Sequence, residues 1–98
     1  MIFYDRVNIV GKAEGGAVVR PDVPAHFGHS ASLRTIDRGT LYVERAQVMV
    51  PAEVIELLDP TAHAIEHKGV KWFMDGQPMV RYRRGIAHHV SVGLTRTT

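Results

Sequence analysis

The sequence predicts an all-β domain, a small barrel or sandwich with one long loop and at most one short helix. Three observations carry this. Nine glycines and five prolines punctuate 98 residues. Between them lie short runs rich in valine, isoleucine and aromatic residues, the spacing expected of sequential strands and turns. Only one segment has a helical period. The length fits a single domain spanning residues 1–98, of a size that is only modestly stable alone.

The first run is Phe3 to Val10, where Phe3, Val7 and Ile9 share one parity, interrupted by Asp5. "EGGA" (Glu14 to Ala17) reads as a turn, and "AVVR" leads into Pro21. Pro21 and Pro24 cannot donate to a ladder, so this stretch is expected at an edge or as extended chain. "HFGHSASLRTIDRG", His26 to Gly39, is polar and lacks a period; it is expected to form a long loop. "TLYVERAQVMV" (Thr40 to Val50) is strand-like, and "PAEVIELLDP" supplies the one helical pattern. There Pro51 suits a first turn, and Val54, Leu57 and Leu58 share a face. Asp59-Pro60 ends it, because the residue before proline is pushed out of the helical region.

The last third is clearer. In "VKWFM", Val70, Trp72 and Met74 share a face; "DGQP" is a turn in which Gly76 can take a positive φ. "VRYR" alternates Val80 and Tyr82 against Arg81 and Arg83. After Gly85, residues Ile86, His88, Val90, Val92 and Leu94 take one parity and Ala87, His89, Ser91, Gly93 and Thr95 the other. Two hairpins, one through "DGQP" and one through Gly85, are expected to close the sheet.

Composition narrows the chemistry. There is no cysteine, which excludes disulfides, thiolate metal sites and thiol nucleophiles. No apolar run approaches membrane-spanning length. "MIFYDRVNIVGK" has no basic region before its apolar residues and no small-residue cleavage pattern, so a mature, unexported, soluble protein is expected. Residues 1–67 carry six Lys/Arg and nine Asp/Glu; residues 68–98 carry six Lys/Arg and one acid, Asp75. A basic segment of this kind is a solvated face or a surface for polyanion, DNA above all.

Six histidines invite a metal reading. On a strand, however, the adjacent His88 and His89 point to opposite faces and cannot share an ion, and zinc needs three or four converging ligands. Gly28 argues against a helix that would bring His26 and His29 together, and "HAIEH" (His63 to His67) lacks a glutamate directly after its first histidine. No nucleophile elbow accompanies Ser30, Ser32 or Ser91, and Gly15-Gly16 lacks the lysine and hydroxyl residue of a phosphate loop. Glu53 and Glu56 fit an exposed amphipathic helix better than a carboxylate pair. The sequence therefore predicts a non-enzymatic protein without metal or cofactor. A small metal-dependent enzyme is the third and weakest class.

Arg81, Arg83 and Arg84 are the strongest charge feature, and Arg34 and Arg38 of the expected loop join them. They either guard an edge against aggregation or meet phosphates or an acidic partner. Tyr82 alone among them could stack on a base, so sequence-specific recognition is not indicated.

The order of segments supplies a resemblance. A strand ending "VMVP" precedes "HKGVKWFMDGQPMVRYRRGIAHHVSVGL". An aromatic-x-x-Asp-Gly-x-Pro turn followed by a Gly-x-x-His-His strand resembles the head-to-tail stopper (head-closure) proteins of long-tailed actinobacterial phages, over Val48 to Leu94. The resemblance implies a small β-barrel or sandwich assembled into a ring, hexameric in expectation, in the virion neck. It implies an adaptor protein and a tail terminator as neighbours, packaged double-stranded DNA in the channel, and assembly in the host cytoplasm. By position it gives Trp72, Asp75, Gly76, Pro78, His88 and His89 framework or subunit-contact roles rather than chemistry. The stretch His26 to Gly39 becomes a channel-facing or plug loop. The alternative is a small nucleic-acid-binding β-barrel without sequence specificity.

Overall fold

A computed structural model describes residues 3–36 and 39–97 of the chain, with side chains at 3–28 and 44–96. Seven strands are present: β1 (Asp5–Gly11), β2 (Val18–Ile36), β3 (Gly39–Pro51), β4 (His63–His67), β5 (Val70–Met74), β6 (Met79–Arg83) and β7 (Ile86–Thr97). Their order is β3-β2-β1-β4-β5-β7-β6, and β3 also pairs with β7. That pairing closes six strands into a barrel and leaves β6 as one extra strand beside β7. All of the pairings are antiparallel.

The barrel closes because one face of each strand is apolar. Val7 and Ile9, Val23 and Ala25, Val48 and Val50, Ile65, Trp72, and Val90, Val92 and Leu94 form a single buried cluster. Each large aliphatic side chain removed from water contributes roughly 1.5–3 kcal/mol. The partial alternation of β1 has a local cause. Its register with β2 shifts between Val7 and Ile9 and again between Ile9 and Val10, so Val10 is buried as well.

Strand β2 works in two halves. Val18 to Ala25 pairs with β1, and His26 onward pairs with β3. Both prolines fall in the half bonded on one side only, as their missing donors require. Between them Asp22 takes a positive φ of 51°, and its backbone N–H donates to Asn8 Oδ1 at 2.9 Å.

The segment His26 to Gly39 is not the loop its composition suggests. Its described residues continue β2 and begin β3, paired in unbroken register from His26 with Met49 to Ile36 with Gly39. The β3–β7 pairing stops at Val43 with Thr97. Beyond it, among the described residues, the two strands bond only to each other. Two strands that run past the barrel are not held to its core's period, so composition alone does not mark them as strands. The radius of gyration, 14.1 Å, and extents of 48 × 30 × 24 Å exceed the ~13 Å radius expected for a compact chain of this length.

A 3₁₀ helix, Ala52–Leu57, follows β3 with Pro51 as its N-cap rather than within its first turn. Leu58 N–H donates to Ile55 at 3.1 Å, the three-residue spacing of a tight helix. Val54 and Leu58 are buried in the core cluster and Leu57 packs against it. The helix thereby covers one end of the barrel. Asp59 then accepts from the Thr61 backbone N–H and hydroxyl at 3.0 and 2.8 Å.

The "DGQP" segment does not make a hairpin. Strands β5 and β6 do not pair with each other; β5 pairs with Leu94 and Thr95 of β7, and β6 with Ile86 to Ser91. They lie end to end along one side of β7, and residues 75–78 step between them. Asp75 N–H bonds Gly93 at 2.8 Å and Gly76 has φ 85°. A turn composition cannot distinguish a reversal from a kink when a third strand accepts both flanks. The hairpins actually formed in this third are β4–β5, through Lys68-Gly69, and β6–β7, through Arg84-Gly85. All four turn residues have positive φ, as two-residue hairpin turns of type I′ require.

Candidate functional site

The hairpin β6–β7 gathers most of the residues singled out by sequence. Arg81, Arg83 and Arg84 are all exposed. Among the described residues none of the three has an acidic partner. Tyr82 is exposed too, against the expectation that it would share Val80's inward face. Ile86 and Met79 are likewise exposed. The reason lies in the pairing: Pro51 is the last β3 residue against β7, opposite His89. Residues 82–87 therefore run past the neighbouring strand and have no core beneath them.

His88 and His89 do not point to opposite faces. The β6–β7 register passes from Tyr82 with Ala87 to Arg81 with His89, so His88 is one residue too many. That is a β-bulge, which re-aims side chains. The two rings meet edge to face at 5.2 Å, with their Nδ1 atoms 2.9 Å apart. Burial first, then the charges of His88 and Arg81, hold His89 below the usual imidazole pKa. His88 also lines a cavity of about 330 Å³ with Arg83, Arg84, Ile86 and Ala87.

A second, larger cavity of about 450 Å³ occupies the mouth of the barrel opposite the 3₁₀ helix. It was not legible as a site in the sequence. Phe27 stacks on His67 at 3.9 Å and 14° and meets Trp72 edge to face at 5.5 Å. The Arg96 guanidinium lies 5.4 Å above the Trp72 ring. Arg96 also forms a two-pronged ion pair with Glu44 at 2.8 and 3.2 Å. His67 Nε2 is 3.6 Å from Asp5 Oδ1, and that carboxylate's other oxygen accepts from Phe27 N–H at 3.3 Å. His67 Nε2 is buried without a hydrogen bond. Trp72 itself is core, 4% exposed.

The remaining candidates are dispersed. Asp75, Gly76 and Pro78 shape the step between β5 and β6. His63 and His67 lie on one strand four residues apart, about 13 Å along it, and do not converge. His26 is exposed on β2. The side chains of Arg34 and His29, and the whole of Arg38, lie outside the described residues. Among the described residues no three histidine or acidic side chains group to hold a metal ion. No helix is long and apolar enough to cross a membrane.

No family model matches the chain, and no curated protein or solved structure matches it. The candidate site therefore rests on its own geometry: a projecting hairpin with three arginines and exposed apolar side chains, carried by a closed barrel.

Proposed function

We propose that this chain is a structural neck protein of a tailed phage, a head-to-tail stopper. In this reading it forms a ring between the portal-adaptor complex and the tail terminator. The ring closes the filled head, retains packaged double-stranded DNA and docks the tail. The observation that carries the reading is the motif order from "VMVP" to "GIAHHVSVGL", the segment that forms the 3₁₀ helix, β4, β5, β6 and β7. A ring component needs a rigid body and surfaces that reach past it. The barrel supplies the first; the β6–β7 hairpin and the β2–β3 arm supply the second. Imaging particles assembled without the protein is the test. Untailed heads that lose their DNA are expected, and normal tailed particles that hold it would refute the reading.

The three exposed arginines without acidic partners favour a second reading, a nucleic-acid-binding barrel without sequence preference. If all three neutralise phosphates, the slope of log K against log salt falls by about 2.7 when they are replaced together. An isolated protein that does not bind duplex DNA at low salt removes this reading.

A further inference from the structure

We infer that the β6–β7 hairpin docks onto a second copy of this chain, at the acidic 3₁₀-helix face that carries Glu53, Glu56 and Asp59. The inference rests on the ring reading above and names the contact that would build the ring.

The hairpin has the composition of a protein interface rather than of a phosphate-binding loop. Tyr82 is 68% and Ile86 72% exposed, flanking three exposed arginines, and no acid occurs between Met79 and His89. Phosphate contacts need charge and hydrogen bonds and gain nothing from isoleucine. Protein interfaces are enriched in aromatic residues and arginine and depleted of other charges at their centre. Strand β6 also ends the sheet, so its outer backbone edge has no strand beside it among the described residues.

Charge complementarity identifies the occupant. Glu53 and Glu56 are exposed on the 3₁₀ helix, and Asp59 is exposed just after it. Among the described residues none of the three makes an ion pair, and neither do the hairpin arginines. Each copy thus carries a basic, apolar-tipped projection and an acidic patch that do not neutralise each other within the chain. Two different patches meeting between copies make a heterologous contact, which closes into a ring when the rotation per subunit allows.

The test is sedimentation of the full chain over a wide range of concentration. Wild type is expected to form a salt-sensitive oligomer. The variant R81E/R83E/R84E is expected to lose it, and so is E53K/E56K. Mixed in equal amounts, the two variants are expected to recover it, because both of their contacts are then complementary. All of the substituted residues are exposed, so unchanged circular dichroism and melting temperature verify folding. A second variant, Y82A/I86A, is expected to weaken assembly without altering charge. A monomeric wild type, a charge-reversed variant that assembles like wild type, or a mixture that stays monomeric overturns the inference. So does a hairpin variant that loses only DNA binding. Assembly that survives charge reversal removes this contact and leaves the ring reading to the particle experiment.

Discussion

Trp72→Ala tests how the barrel is held. Trp72 is the only tryptophan, and its ring is buried at the point where β5 meets the core. The substitution removes the buried ring, its edge contact with Phe27 at 5.5 Å and the Arg96 contact at 5.4 Å. Truncating a buried tryptophan to alanine costs roughly 3–5 kcal/mol. A domain of 98 residues has a total stability of about 5–15 kcal/mol, so the loss is a large fraction of the whole. At roughly 4–8 °C per kcal/mol for a domain of this size, the melting temperature should fall by about 12–40 °C. Far-UV circular dichroism is the suitable probe, because the variant has no tryptophan fluorescence. Trp72→Phe should recover part of the loss by keeping an aromatic ring against Phe27. A fall in melting temperature of under about 4 °C, equivalent to less than ~1 kcal/mol, would refute the assignment of Trp72 to the core. It would place the ring at a contact with another chain.

Three further outcomes follow from local geometry. Gly16→Ala should cost about 1–3 kcal/mol in chemical denaturation, because a Cβ there would lie 2.7 Å from the Gly11 carbonyl carbon and 2.8 Å from its Cα. Gly85→Ala should cost less, about 1 kcal/mol, since only its φ of 78° is unfavourable and the space around it is open. Glu44→Gln should destabilise by about 1–2 kcal/mol through loss of the charge-assisted bonds from Arg96. A double-mutant cycle with Arg96→Ala checks that the loss belongs to the pair. For pH, the lowered pKa of His89 means the unfolded chain binds the proton more readily. Its stabilising contribution is present above the unfolded value of about 6.5 and is lost as pH falls toward the lowered folded value. The decline in melting temperature below that pH should therefore be shallower in His89→Asn. Equal slopes in the two proteins would refute it.

The all-β architecture was legible because one face of most strands must be apolar, and Val90, Val92 and Leu94 wrote that period plainly. The barrel's closure was not, since nothing in a local pattern says that β3 will bond β7. The arm beyond Val43 escaped for the opposite reason. Leu33 to Ile36 and Gly39 to Tyr42 bond only to each other among the described residues, so no barrel core imposes a period on them. Strand β4 was hidden by its length, by histidines at both ends and by a turn whose first residue, Lys68, is not of a type that usually takes a positive φ. The arginines could be read as exposed, because a guanidinium seldom enters a core unpaired. The mouth cavity could not, because Asp5, Phe27, Glu44, His67, Trp72 and Arg96 come from six strands and only the closed barrel assembles them.

The histidine pair shows how a correct rule leads to a wrong placement. Alternation holds only while two strands advance together, and one inserted residue at His88 turns both rings to a common place. The consequence reaches the hairpin's charge. With the Nδ1 atoms 2.9 Å apart, one neutral ring can donate to the other, whereas two protonated rings would set two donors and two like charges face to face. Burial already disfavours the charged form of His89. The fixed positive charge of the hairpin is that of Arg81, Arg83 and Arg84, which do not titrate near neutral pH. Protonation of His89 on acidification opposes the geometry that seats β6 on β7. The hairpin's sensitivity to acid therefore enters through His89 at the bulge.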